Sequence, residues 1–510
     1  MQMRLGLFFF LISFYGFSQM TTKQGPWVEL KSKATHQGFV MTDSNYVYAI
    51  DFMRNNLRQE QKLFVNVYDK KTLDFHNKLD ISPTPREGVK IELTEIFSIR
   101  QTMIIVMVET LESEQKRIVL QSINSEGKRG VEIIVDTLPS EKNVNDDFEI
   151  VVDKEESSFA ICTNYPVSRN ENQKLKITTF DSDLKFKWTK VVEFPQKEKQ
   201  FIFSDWRYDG DQQVYFLARY IIDLYQPEYE FTNLNQNTYY LWGYDHQKDK
   251  LKEIELSLNQ RFINKISMQI DSSRWLICGI YANDKKFHSD GVFSLILDKQ
   301  MKVTSHNLHD FTVEEKRSFH LLTNEKTDKK GFDDVQLKSI EVMQNGDLVL
   351  VGEEFRKEVE LANDGRMNSV NLTELYYYEN IALFWLNNTG VLNGIYTIPK
   401  NQISINDQGY FSSYQLAKTE GNLFVFYNDS PRNLNPNGNY VNQLKPVNAM
   451  RKMYVKGVQV DRKGTQRQEV ITPPSSRHRV RPSIAGQLLD QSFYLLSQKR
   501  KSRALFKVEF

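Results

Sequence analysis

Arginines are the residues best equipped for chemistry in this chain, and most of them gather near its end. From residue 451 onward 14 Lys and Arg stand against 4 Asp and Glu, 14 − 4 = +10, so with a total of +1 the first 450 residues carry +1 − 10 = −9. The dense part is Arg477, Arg479 and Arg481, then Lys499, Arg500, Lys501 and Arg503, with Arg432 upstream. Guanidinium forks match phosphate, uronic acid and acidic protein faces in a bidentate way, so this set reads as a dock for an anionic or acidic macromolecule. The plain alternative is a solvated loop edge. A second set, Tyr225 and Tyr229 with Phe231 among Asp223, Glu228 and Glu230, suits a carbohydrate or protein contact, or packs its own loop onto the scaffold. A third is the pair Asn428-Asp429, echoed by Asn283-Asp284, which can line a central opening or cap a turn. Paired carboxylates at Asp284 and Asp429 would suit a polysaccharide lyase or glycoside hydrolase, the enzymatic alternative.

Other chemistry is missing from the sequence. Eight histidines include no HExxH or H-x-x-x-H spacing, and there is no Walker loop, no G-x-S-x-G and no G-x-G-x-x-G. Cys162 and Cys278 lie 278 − 162 = 116 positions apart and make no paired-cysteine metal motif. Near-neutral charge gives no global pull toward nucleic acid. The expectation is a non-catalytic binding or scaffold protein with no cofactor and no metal.

The elements that must position these residues are strands. Seven times a short apolar strand ends in Asp or Asn before a tight polar turn, at Asp69, Asn124, Asp181, Asp245, Asp298, Asn387 and Asp461. Their mean spacing, (461 − 69)/6 or about 65 residues, belongs to a repeat architecture. An Asp or Asn there can accept a backbone N–H two residues on. Gly127, Gly390 and Gly464 stand three residues later. After Asp181 the pattern alternates, with Leu184, Phe186 and Trp188 facing one way, as in a half-buried strand. Hairpin signals Asn345-Gly346 and Asp209-Gly210 precede two of the turns.

Each unit therefore reads as four strands, a to d, with first strands near residues 38, 94, 148, 201, 263, 335, 410 and 479. The fold class is all-β: a single β-propeller over residues 19–510 with eight four-stranded blades, seven being the alternative. The last unit stops after two strands at ALFKVEF, and WVELKS near the start can supply its outer strand and close the ring. Helical periodicity is confined to Val313 to Lys329. The cysteines fall on equivalent b strands of the third and fifth blades, too far apart for a disulfide. The long insertions, Asp223 to Asn237, Phe311 to Gly331, Arg356 to Tyr378 and Asp429 to Ala449, are all b–c or d–a connections, which emerge on one face. That face also carries the arginines, and it is the expected working surface.

The first eighteen residues, with Arg4 ahead of an apolar run from Leu5 to Tyr15 and Gly16-Phe17-Ser18 after it, read as a secretory signal. The run is too short to span a bilayer. Its style resembles that of exported proteins of Gram-negative bacteria, implying a soluble periplasmic or extracellular protein. The stretch from Ile398 to Asp429, with IPKNQ, GYFSSY and LFVFYND, resembles exported bacterial β-propeller repeat proteins of unassigned activity. In that compartment the arginine cluster implies a protein or anionic glycan partner in the cell envelope. A further alternative, resting on fold and compartment, is an accessory or plug-like subunit of an envelope secretion complex such as the type IX translocon.

Overall fold

Each recurring Asp or Asn closes a turn in the expected way. In the computed structural model, which describes residues 20–510 except 30–34, 56–59, 139–147, 166–170, 198–200, 211, 222–236, 272–273, 285–287, 321–330, 364–369, 435–443, 449–452, 475–478, 485, 488–491 and 500–501, all seven side chains accept backbone N–H groups. Asp461 Oδ1 takes the N–H of Lys463 and of Thr465 at 2.8 Å each, and Asn387 Oδ1 takes those of Thr389 at 3.0 Å and Val391 at 2.9 Å. The third residue after the Asx is left-handed where glycine stands, with φ of 80° at Gly127, 85° at Gly390 and 78° at Gly464. Leu184 and Met301 take the same place with φ of 61° and 60°, and both side chains are buried.

These turns and the a–b hairpins organise eight antiparallel sheets in chain order. Blade 1 is Thr35–Thr42, Tyr46–Asn55, Glu60–Asp69 and Phe75–Asp80, and blade 2 runs from Lys90–Ile99 to Arg129–Leu138. Blades 3, 4 and 5 open with Phe148–Val152, Phe201–Tyr208 and Phe262–Ile270. Blade 6 opens with Val335–Val342 and blade 7 with Gln415–Lys418. Blade 8 has a short, broken first strand, Arg479–Val480 and Gly486–Gln487, followed by Ser492–Lys499 and Ser502–Glu509. Its outer position is filled by Thr21–Gln24 and Val28–Glu29, which pair with Ser502–Glu509 in the registers Thr21↔Glu509 and Val28↔Arg503. The ring is an eight-bladed propeller closed by its own N-terminal strand. Trp27 and Phe510 both pack against the cluster between blades 7 and 8.

Strand a is the inner strand, since Val40, Met41, Ser98, Val342 and Lys418 line an axial cavity of about 1160 Å³. The core is a series of inter-blade layers of buried β-branched and aromatic side chains, as expected when each sheet packs both faces. Cys162 and Cys278 sit in strand b of blades 3 and 5, buried and unbridged.

Three sequence expectations change. Phe186 does not share the buried face of Leu184 and Trp188; it is 59% exposed. The register jumps from Phe180↔Phe186 to Thr179↔Trp188, so a bulge resets the alternation. The insertion Arg356 to Tyr378 is largely strand: b and c of blade 6 lengthen to Leu348–Asn363 and Val370–Leu386 and form a projecting hairpin, with Gln402–Ile405 added on its c side. The helix covers Val313–Phe319 only, started by a capping box between Thr312 and Glu315; residues 321–330 lie outside the described set.

Candidate functional site

Strand order puts the b–c loops and d–a crossovers on one rim, and Arg432, Arg479 and Arg481 lie there. Arg479 opens strand a of blade 8 and Arg481 begins the break that follows, where Pro482–Ile484 makes a single 3-10 turn. Both are half-buried, and each is braced by a ring from the crossover entering blade 7. The Arg481 guanidinium lies 4.4 Å from the Tyr410 ring centroid and that of Arg479 lies 5.6 Å from Phe411. Arg481 also donates to the backbone oxygen of His36 at 3.1 Å, which reaches across to blade 1. Arg432 is exposed on the 3-10 turn Pro431–Asn433 that follows strand b of blade 7. Arg477, Arg500 and Lys501, the Lys499 side chain, Tyr225 and Tyr229 fall outside the described residues.

Three other residues of the reading have internal duties. Arg503 does not join an exposed basic rim: it is 4% exposed and pairs with the buried Asp51 of blade 1. A guanidinium enclosed between two blades has no route to a partner. Asn428 and Asp429 do not line the opening either, because strand b is not the inner strand. Asn428 donates to the backbone oxygens of Phe411 at 2.8 Å and Val480 at 2.7 Å, tying both crossovers to blade 7. Asp429 is buried and accepts from Asn433 at 2.7 Å and Tyr454 at 3.3 Å, with Lys456 Nζ at 3.6 Å. Burial lowers the Lys456 pKa, and the Asp429 charge opposes that shift. Asp284 belongs to blade 5, with all of blade 6 between it and Asp429, so the two carboxylates suggested for glycoside chemistry are not brought together. Tyr376, Tyr377 and Tyr378 pack and bond within the blade 6 hairpin; Tyr377 lies 3.8 Å under the Arg356 guanidinium and donates to Glu358 at 3.1 Å.

What the sequence reading missed is a set of buried acids toward the rim end of strand b, each matched by a cation from elsewhere. Glu109 takes Arg86 at 2.7 Å, Glu353 takes Lys400 at 2.7 Å, and Asp51 takes Arg503. Lys400 is wholly enclosed and also donates to the Tyr378 backbone oxygen at 3.1 Å and Gln402 at 3.0 Å. These pairs anchor the crossovers and loops that form the rim, so the surface is held on a stiff base. Superimposing the units on their Asx turns would have shown the signal, an acid recurring late in an otherwise apolar strand b.

Among the described residues the rim thus presents Arg479 and Arg481 braced on rings, with Arg432 exposed. Among the described residues no group of three or more His, Cys, Asp or Glu is placed to hold a metal ion. No family model matches the chain, and no curated protein does. Among solved structures it is similar to the β-propeller domain of the Trilobed protease from Pyrococcus furiosus, described as having an open velcro topology, at 10% identity and TM-score 0.37 over 87% of this chain and 96% of that one. It is similar also to the Dos1 propeller, at 7% identity and TM-score 0.39 over 95% and 94% of the two chains. The WD40 domain of SCAP from fission yeast shows 8% identity and TM-score 0.33 over 80% of this chain and 95% of that one. The fold assignment rests on the strand pairing itself.

Proposed function

We propose that this chain is a non-catalytic binding or scaffold protein of the bacterial cell envelope, exported by its N-terminal segment, and that it engages an acidic macromolecular partner through the rim of b–c loops and d–a crossovers. The observation that carries this reading is the pair of guanidiniums, Arg479 and Arg481, braced on Phe411 and Tyr410 at the inner edge of that rim, with Arg432 exposed beyond them. A cation already held in place loses less side-chain freedom when it meets a carboxylate. The buried ion pairs beneath it keep the rim's base rigid.

The test is a pull-down from envelope extract across a salt series, comparing the parent with an Arg432→Glu/Arg479→Glu double variant. Arg481 is left in place because its bond to His36 is structural. The expected outcome is capture of an acidic partner at about 0.1 M salt, lost at roughly 0.5 M and lost in the double variant. Equal recovery by parent and variant would remove the proposal.

A further inference from the structure

The face opposite the rim, built from a–b hairpins and c–d turns, holds a second cavity of about 630 Å³ between blades 4 and 5. This lies within the range of roughly 300–1,000 Å³ typical of small-molecule sites. Its rigid wall includes Trp275 and Tyr215, whose rings lie 3.9 Å apart, and Trp275 is fully buried.

Its charges do not cancel. Asp245 is paired with Lys248 at 2.7 Å and Asp271 with Arg274 at 3.3 Å. Asp209 accepts the backbone N–H groups of Gln212 and Gln213 in its own turn, and Lys252 donates to the backbone oxygen of Gln300. That leaves Lys154, Lys250 and Lys299, all exposed, which come from three turns on three successive blades and line the same cavity. Among the described residues the side chains of these three make no hydrogen bond or ion pair, and the one acid likewise uncommitted is Glu155.

We infer that this cavity binds a small polyanion bearing two or more phosphate or sulfate groups, about the size of a nucleotide or disaccharide. A single carboxylate would leave two ammonium groups unmatched. Lysine, a compact and mobile point charge, suits phosphate and sulfate oxygens without demanding a planar fork. Concavity separates this site from the rim: it encloses a small ligand, whereas the rim offers a surface to a large one.

The experiment is calorimetric titration of the full chain with two probes, inorganic pyrophosphate and a disulfated disaccharide, at about 0.1 M salt. The parent is compared with a Lys154→Gln/Lys250→Gln/Lys299→Gln variant and with Glu155→Gln. The lysines are exposed on turns, so circular dichroism should show the triple variant folded. Binding of either probe, weakened roughly tenfold or more in the triple variant and strengthened by Glu155→Gln, supports the site and tells phosphate from sulfate. Absence of heat with both probes, or equal affinity in parent and triple variant, overturns it. An Arg432→Glu/Arg479→Glu protein should bind the probes as the parent does, which keeps this result independent of the rim.

Discussion

Gly390 and Leu184 hold the same place in two equivalent turns, three residues after an Asx that caps the turn, and both are left-handed. For glycine that conformation is free; for leucine it costs about 1–2 kcal/mol. A Cβ on Gly390 would also stand 2.3 Å from Ser294 Oγ, so Gly390→Ala should lower stability by about 2 kcal/mol or more. Leu184 persists in the strained place because its side chain is buried against blade 2. Truncating a buried leucine costs about 2–5 kcal/mol, more than the strain it would relieve, so Leu184→Gly should also destabilise, by roughly 1–3 kcal/mol. Urea unfolding midpoints of both variants check this, and a more stable Leu184→Gly would show that strain outweighs packing there. The Asx capping was legible in the sequence because acceptor and donors lie within four residues. Arg503 was not, because its partner Asp51 lies 452 positions away and nothing local separates a buried arginine from its exposed neighbours.

Among the layers between blades, the one joining blade 8 to blade 1 is different. Among the described residues it has seven buried apolar side chains, where every other layer has eleven or more. Beside them the same face of blade 1 presents the polar His36, Asp51 and Asn66, brought to the side of Tyr68 by the pairings His36↔Asp51, Ala49↔Asn66 and Val47↔Tyr68. His36 Nδ1 bonds the Ile50 backbone oxygen at 3.0 Å and lies 3.8 Å from Asp51, while Arg503 reaches in from blade 8. Burial, helped by the Arg503 charge, holds the His36 pKa below its ordinary 6.5. Burial works against Asp51, but the neighbouring His36 and the Arg503 charge keep its pKa below the ordinary 3.8. At this seam the folded protein therefore binds fewer protons than the unfolded chain as pH falls through 6.5. The seam's contribution to stability should be flat above that pH, decline as pH falls below 6.5 because His36 resists the proton that the unfolded chain takes up, and decline again below 3.8 because folded Asp51 does the same. Denaturation measured at intervals from pH 8 down to about 5 should show the first decline in the parent and a flatter profile in His36→Asn. Equal profiles would count against the seam as its origin. This layer was illegible in the sequence, since it depends on which face of blade 1 meets blade 8.

For the whole molecule the turn repeat was enough to number the blades: strand a begins at 148, 201, 335 and 479 as the sequence places it, and within a few residues elsewhere. Bulges and the lengthened hairpin of blade 6 were not legible, because each depends on the neighbouring strand's register rather than on alternation within one strand. Closure by Thr21–Gln24 and Val28–Glu29 covers the last strand of blade 8. Removing residues 20–29 should leave Ser502–Glu509 as an open edge, lower the melting temperature and promote self-association, as read by calorimetry and light scattering. A shortened protein that melts with the parent and stays monomeric would refute the role of that strand.

The pairing of Thr21 with Glu509 spans 509 − 21 = 488 residues. During translation this opening segment must wait, partnerless, until almost every other blade has been made. Closure is then a late, long-range event, and contacts of such sequence separation form slowly. A nascent chain stalled before residue 502 would carry seven finished units and a dangling beginning, the condition in which a cell's quality-control machinery would meet it.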